Sequence, residues 1–144
     1  MSQVLSAHLT AHRADAAYTR SRVTGTALWT AQGFLALLFL FAGGMKLIVP
    51  IQMLTAQMPL PIPGAFMRFI GVCEVSGALG LILPGLLRIR PLLTPLAACG
   101  LVVIMTGATM VTLAGGEIVP ALVPLLVGLL CAAVAYGRRS WGWA

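Results

Sequence analysis

Charge is scarce in this sequence. Only 8% of its 144 residues are charged, and just three are acidic. Soluble domains carry about a quarter charged residues, so a water-facing globule is excluded. Cysteine is scarce too: Cys73, Cys99 and Cys131 stand far apart, with no C-x-x-C and no C-x-x-C-H. That spacing supports no disulfide scaffold, redox dithiol or covalently held haem, and the three read as buried packing residues. A Gly-rich phosphate loop, a nucleophile motif and a zinc signature are all missing. His8 and His12 have the i, i+4 spacing of a metal pair, yet no third ligand stands near them, so coincidence is the better account.

Cations outnumber acids, nine to three, for a net charge of +6. They occur singly or in pairs between long apolar runs and form no stripe that tracks phosphates, which excludes a nucleic-acid binder. With 60% of the chain hydrophobic, disorder is excluded as well. An integral membrane protein remains.

Four apolar stretches stand out, at 27–49, 65–87, 92–113 and 118–136. Each of about 19 to 23 residues covers the roughly 30 Å hydrocarbon core when helical. Backbone amides must be paired in lipid, and the alternation of a β-barrel is absent, so these are helices. The predicted fold is all-α: an integral membrane four-helix bundle over 27–139, with a polar tail or short amphipathic helix at 1–26 and a short tail at 140–144. Leu5 and Leu9 would share a face of that first helix. A cleaved signal peptide is disfavoured, because the polar lead and the apolar run are both too long. Pro84 and Gly85 end the second span, Pro91 and Pro95 flank the start of the third, and Pro120 sits in the first turn of the fourth, where a missing amide costs little. Pro124 lies deeper, at a position that kinks a helix. The longest connection, 50–64, contains Pro59, Pro61 and Pro63 and favours extended backbone, as either an apolar flap over the bundle mouth or a plain linker.

Arg13, Arg20, Arg22, Arg88, Arg90, Arg138 and Arg139 all fall on one side of such a bundle. Glu117 falls on the other, with Lys46 and Arg68 just inside the membrane. The positive-inside rule then predicts a multi-pass cell-membrane (inner-membrane) protein with both termini cytoplasmic. Trp29, Tyr136, Trp141 and Trp143 would mark the cytoplasmic interface.

Helices in lipid associate through close approach and polar contacts. Small residues recur every seven positions: Ala36 and Gly43, then Gly71, Ala78 and Gly85, then Gly100, Gly107 and Ala114, and finally Ala121, Gly128 and Ala135. That repeat predicts one inward seam per helix. Gly and Ala are abundant enough for some of these triplets to be chance.

Lys46, Arg68 and Glu74 are the candidate site. Glu74 lies about 13 Å into its helix, where a charge is costly without a partner. It falls three residues after Gly71 and four before Ala78, so it shares their seam. Lys46 and Arg68 flank the same seam in the outer half. Two readings stand side by side: the cations reach external headgroups while Glu74 stays protonated or takes one of them in a register-fixing salt bridge, or the three line an outward polar pocket for a lipid headgroup, a quinone-like oxygen or a small anion. Thr106, Thr109 and Thr112 form one stripe of the third span and either join this region or, more commonly for threonine, bond their own helix carbonyls. Gln32, near the cytoplasmic end, is expected to make an interhelical bond.

Phe41-Ala42-Gly43-Gly44-Met45-Lys46-Leu47, the stretch from Arg68 through Gly71 and Glu74 to Leu81, the Pro91 to Gly107-Ala108 stretch, Gly115-Gly116-Glu117 and Tyr136-Gly137-Arg138 together resemble the DoxX-like membrane proteins, over roughly residues 27–139. The resemblance implies a four-helix membrane bundle and carries over Lys46, Arg68 and Glu74 as the family's recurring polar positions. Thr112 departs from it, standing where many relatives have His, which counts against proton transfer or haem binding at that position. The family takes its name from a subunit of a thiosulfate and quinone oxidoreductase, and other relatives act as accessory or assembly factors.

Three functions compete. A non-catalytic accessory or assembly subunit, binding a lipid, a quinone, a partner membrane protein or a second copy, follows from the dearth of catalytic side chains. A quinone-linked oxidoreductase subunit would borrow its redox chemistry from a partner, with quinone the one cofactor left open. A small proton-coupled transporter would use Glu74.

Overall fold

The computed structural model describes residues 2–56, 58, 60–90 and 92–139, with side chains from Thr24 onward. The side chains of Leu5, His8, Leu9, His12, Arg13, Arg20 and Arg22, and residues Pro59, Pro91, Trp141 and Trp143, lie outside that description. Five helices follow in order: α1 (Ser2–Ile48), α2 (Ile51–Ala56), α3 (Gly64–Leu86), α4 (Leu93–Ala114) and α5 (Ile118–Arg138). Four stretches are long and apolar enough to cross a membrane: Thr24–Ile48, α3, α4 and α5. Their ends differ from the predicted ones by a turn at most. The short α2 was not anticipated within the 50–64 connection.

Packing divides the chain into two units, Met1–Thr30 and Ala31–Ala144. In the first, the backbone is helical from Ser2 and the Thr30 hydroxyl donates to the Thr26 carbonyl at 3.0 Å. The second holds the bundle.

Helix ends follow from local chemistry. Pro50 has no N–H, so α1 cannot extend through it, and its own carbonyl accepts the first amides of α2 from Met53 and Leu54. Pro63 likewise receives the amides of Phe66 and Met67 at the start of α3. At the end of α4, Gly116 takes φ +83° while Glu117 and Gly116 donate back to the carbonyls of Thr112 and Leu113. This is a Schellman closure, and glycine suits its left-handed position. The end of α3 closes in a similar way, with Ile89 donating to the Pro84 carbonyl, but here Arg88 holds φ 54°. An arginine bears a strain that glycine would avoid.

The bundle core repeats at helical spacing: Gln32, Leu35, Ala36, Phe39 and Gly43 on α1, then Met67, Gly71, Glu74, Ala78 and Leu81 on α3. On α4 the buried positions are Thr94, Ala98, Leu101 and Met105, and on α5 Ala121, Val127, Cys131, Val134 and Arg138. The predicted small-residue seam therefore describes α1 and α3 well. A methyl added at Gly43 would come within 2.8 Å of the Gly71 carbonyl oxygen, so the two backbones nearly touch. On α5, Ala121 is buried and Gly128 faces Met105 across 3.1 Å from its would-be methyl.

The seam fails on α4. Gly100, Gly107 and Ala114 are exposed, and a methyl on either glycine would meet open space. The buried face carries Leu101 and Met105 instead, which fill the gaps left by Gly77 and Gly128 on the neighbouring helices. Large residues on one helix complement small ones on its neighbours, and a rule of matching small residues misses that. Gly100→Ala and Gly107→Ala should accordingly leave stability unchanged, or raise it by up to about 1 kcal/mol through helix propensity. Denaturant titration in detergent checks this, and a clear loss would mean that this face of α4 packs against protein.

Cysteine placement also departs from expectation. Cys131 is buried, Cys73 is half-buried and Cys99 is exposed, so only Cys131 serves as core.

Candidate functional site: an intramembrane ion pair

Glu74 projects from α3 into the bundle and is only 2% exposed. Its carboxylate receives Lys46 of α1 on both oxygens, from Nζ at 2.9 Å to Oε1 and 2.7 Å to Oε2. Lys46 keeps 21% of its side chain exposed, so the pair is sealed on the acid's side and open on the amine's. The close approach of Gly43 and Gly71 makes this geometry possible: Lys46 lies one turn after Gly43, and Glu74 one turn after Gly71. A methyl at Gly71 would come within 3.0 Å of Lys46 Cβ.

Arg68 does something the sequence reading missed. Its Nη1 donates to the Lys46 carbonyl at 2.6 Å and its Nη2 to the Val49 carbonyl at 2.9 Å. Residue 50 would normally supply the amide for the Lys46 carbonyl, and proline has none. The guanidinium takes its place, meeting orphan carbonyls and the negative end of the helix dipole. Pro50, read together with a cation one helix away, was the available signal. Lys46, Arg68 and Glu74 thus form one connected cluster, with Lys46 joined to Glu74 through its side chain and to Arg68 through its backbone.

The threonines bond elsewhere. Thr106, Thr109 and Thr112 donate to the carbonyls of Val102, Met105 and Ala108 on their own helix, at 2.8, 2.7 and 2.9 Å. Thr106 is exposed.

A second polar layer lies at the other end of the bundle. Gln32 of α1 donates through Nε2 to the Leu81 carbonyl of α3 at 2.7 Å, and accepts at Oε1 from Arg138 Nε of α5 at 2.9 Å. Gln32 thus makes two interhelical bonds where one was expected. Arg138 stands at the end of α5, and it is 2% exposed and forms part of the core. Its position one turn past Val134 on the buried face of α5 was the signal. Arg139, by contrast, is exposed and stacks over the Tyr136 ring at 3.9 Å. Among the described residues, no group of three His, Cys, Asp or Glu comes together to hold a metal ion.

A helix bundle with four long apolar helices and its buried carboxylate, Glu74, paired inward with Lys46 defines a multi-pass membrane protein, whose apolar outer faces meet the lipid bilayer. The family model of the DoxX-like family matches residues 30–134, and the chain belongs to that family. No curated protein and no solved structure matches it.

Proposed function

We propose that this chain is a non-catalytic accessory or assembly subunit of a membrane complex, with both termini in the cytoplasm and Lys46, Arg68 and Glu74 framing an outward-facing polar site. The observation that carries this reading is the internal satisfaction of the cluster. Both Glu74 oxygens are taken by Lys46, and both Arg68 terminal nitrogens by carbonyls. Groups held this way position helices and do not stand ready to attack or protonate a substrate. Thr106 and Thr109 belong to the site by sequence pattern, and their hydroxyls serve α4 itself.

Glu74→Gln tests the reading. A neutral amide keeps the shape and removes the ion pair, so membrane insertion should persist while recovery of the partner complex falls. Tagged protein would be captured in mild detergent and its companions identified by mass spectrometry. A solitary species from wild type, or the same companions from both proteins, counts against the proposal.

One feature favours a quinone or lipid-headgroup ligand at this site. An ammonium has three N–H donors, Glu74 receives two, and the exposed flank of Lys46 leaves the third for an acceptor oxygen at the outer interface. Quinone extracted with wild type and lost from the folded double variant Lys46→Met with Glu74→Leu, in which the whole ion pair is exchanged for apolar residues, supports that reading; equal quinone in both removes it.

A further inference from the structure

The geometry points to a buried water-binding site at the Gln32–Arg138 end of the bundle, between the Thr94 hydroxyl and the Gly80 carbonyl. Thr94 is 0% exposed, and its Oγ1 has no hydrogen-bond partner among the described residues. A buried hydroxyl left that way is costly, and buried polar groups nearly always find a partner or a bound water. The other half of the site comes from α3. Pro84 lies inside that helix and brings no N–H to the carbonyl four residues back, which is that of Gly80.

The register of the helices puts these two groups at one level. A methyl on Gly80 would come within 2.7 Å of the Ala97 methyl, so Gly80 faces α4 at Ala97. One turn towards the start of α4 is Thr94, and one turn towards the end of α3 is Pro84. Helix carbonyls point towards the helix C-terminus, so the Gly80 oxygen is directed from the level of Ala97 down to that of Thr94. On the α5 side, Gly128 meets Met105. The steps from Met105 back to Thr94 and from Gly128 on to Arg138 are each roughly 15 to 17 Å. Thr94, Pro84 and Arg138 therefore share one layer with the Gln32 network. A water there donates to the Gly80 carbonyl and either accepts from or donates to Thr94 Oγ1, so that both groups are hydrogen-bonded.

The sign of a single substitution tests the site. Thr94→Val keeps the shape and deletes the hydroxyl. If the hydroxyl is an orphan, valine removes a penalty and the protein becomes more stable; if a water bridges it, valine strands that water's remaining partner. We expect the detergent-solubilised Thr94→Val protein to melt about 2 to 5 °C below wild type, with Thr94→Ser close to wild type. A valine variant as stable as wild type, or more so, overturns the proposal. Pro84→Ala returns an amide to Gly80, so the valine effect should shrink in that background, and an undiminished effect overturns the Gly80 partnership. Water-edited solid-state NMR on unaltered protein in bilayers needs no variant. Magnetisation transfer from water to the Thr94 side chain is expected, and its absence overturns the site even if the valine variant is unstable.

Discussion

Lys46→Met should destabilise the folded bundle by about 3 to 5 kcal/mol, the cost of stranding one member of a buried ion pair. Glu74 is almost wholly buried and both of its oxygens bond Lys46, so an apolar residue at position 46 leaves the carboxylate with no compensating cation from that side chain. Methionine preserves the length and helix propensity of the stem, which isolates the loss of charge. Arg68 is committed to the carbonyls of Lys46 and Val49, and reaching Glu74 would uncover the end of α1. The double variant Lys46→Met with Glu74→Leu should recover most of the loss, because exchanging a whole buried pair for apolar residues is often neutral. Denaturant unfolding in detergent measures all three. Wild-type stability in Lys46→Met, or a double variant as unstable as the single, would mean that the pair contributes little and that the charges serve something other than packing.

The spans were legible because the physics that produces them is local. Length against bilayer thickness and the demand for paired amides both act within one stretch of chain, so 65–87 could be read as α3 with no knowledge of its neighbours. The inward direction of Glu74 was legible for a related reason, since its seam partners Gly71 and Ala78 lie on its own helix. What escaped depended on two helices at once. Whether Gly100 or Leu101 faces inward on α4 is decided by the notches that Gly77 and Gly128 offer from α3 and α5. The burial of Arg138 escaped because an arginine at a helix end ordinarily reaches the interface, and its bond to Gln32 comes from more than a hundred residues earlier in the chain. Arg68 likewise serves the carbonyl that Pro50 leaves without an amide.

Gly43→Val carries the other large expected effect, a loss of more than about 3 kcal/mol: overpacking alone costs about 1 to 3, and disturbance of the adjoining ion pair adds to it. The first carbon of any side chain at this position would stand 2.8 Å from the Gly71 carbonyl oxygen, 2.9 Å from Val75 Cγ2 and 3.0 Å from Glu74 Cβ. The nearest of these is backbone, so a small rotation of a flexible neighbour cannot relieve the clash. Helices α1 and α3 must separate, and in doing so they carry Lys46 away from Glu74 and the α1 carbonyls away from Arg68. Lipid offers no hydrophobic drive to bring them back together. Gly44→Val is the matched control: it adds the same side chain one residue later, into open space, and should cost no more than valine's modest helix penalty. If both variants unfold at the same denaturant concentration as wild type, the α1–α3 crossing is not the contact that holds the ion pair in place. If only the Gly43 variant falls, and adding Lys46→Met to it costs far less than the same change costs wild type, then close backbone approach and buried charge act as one unit.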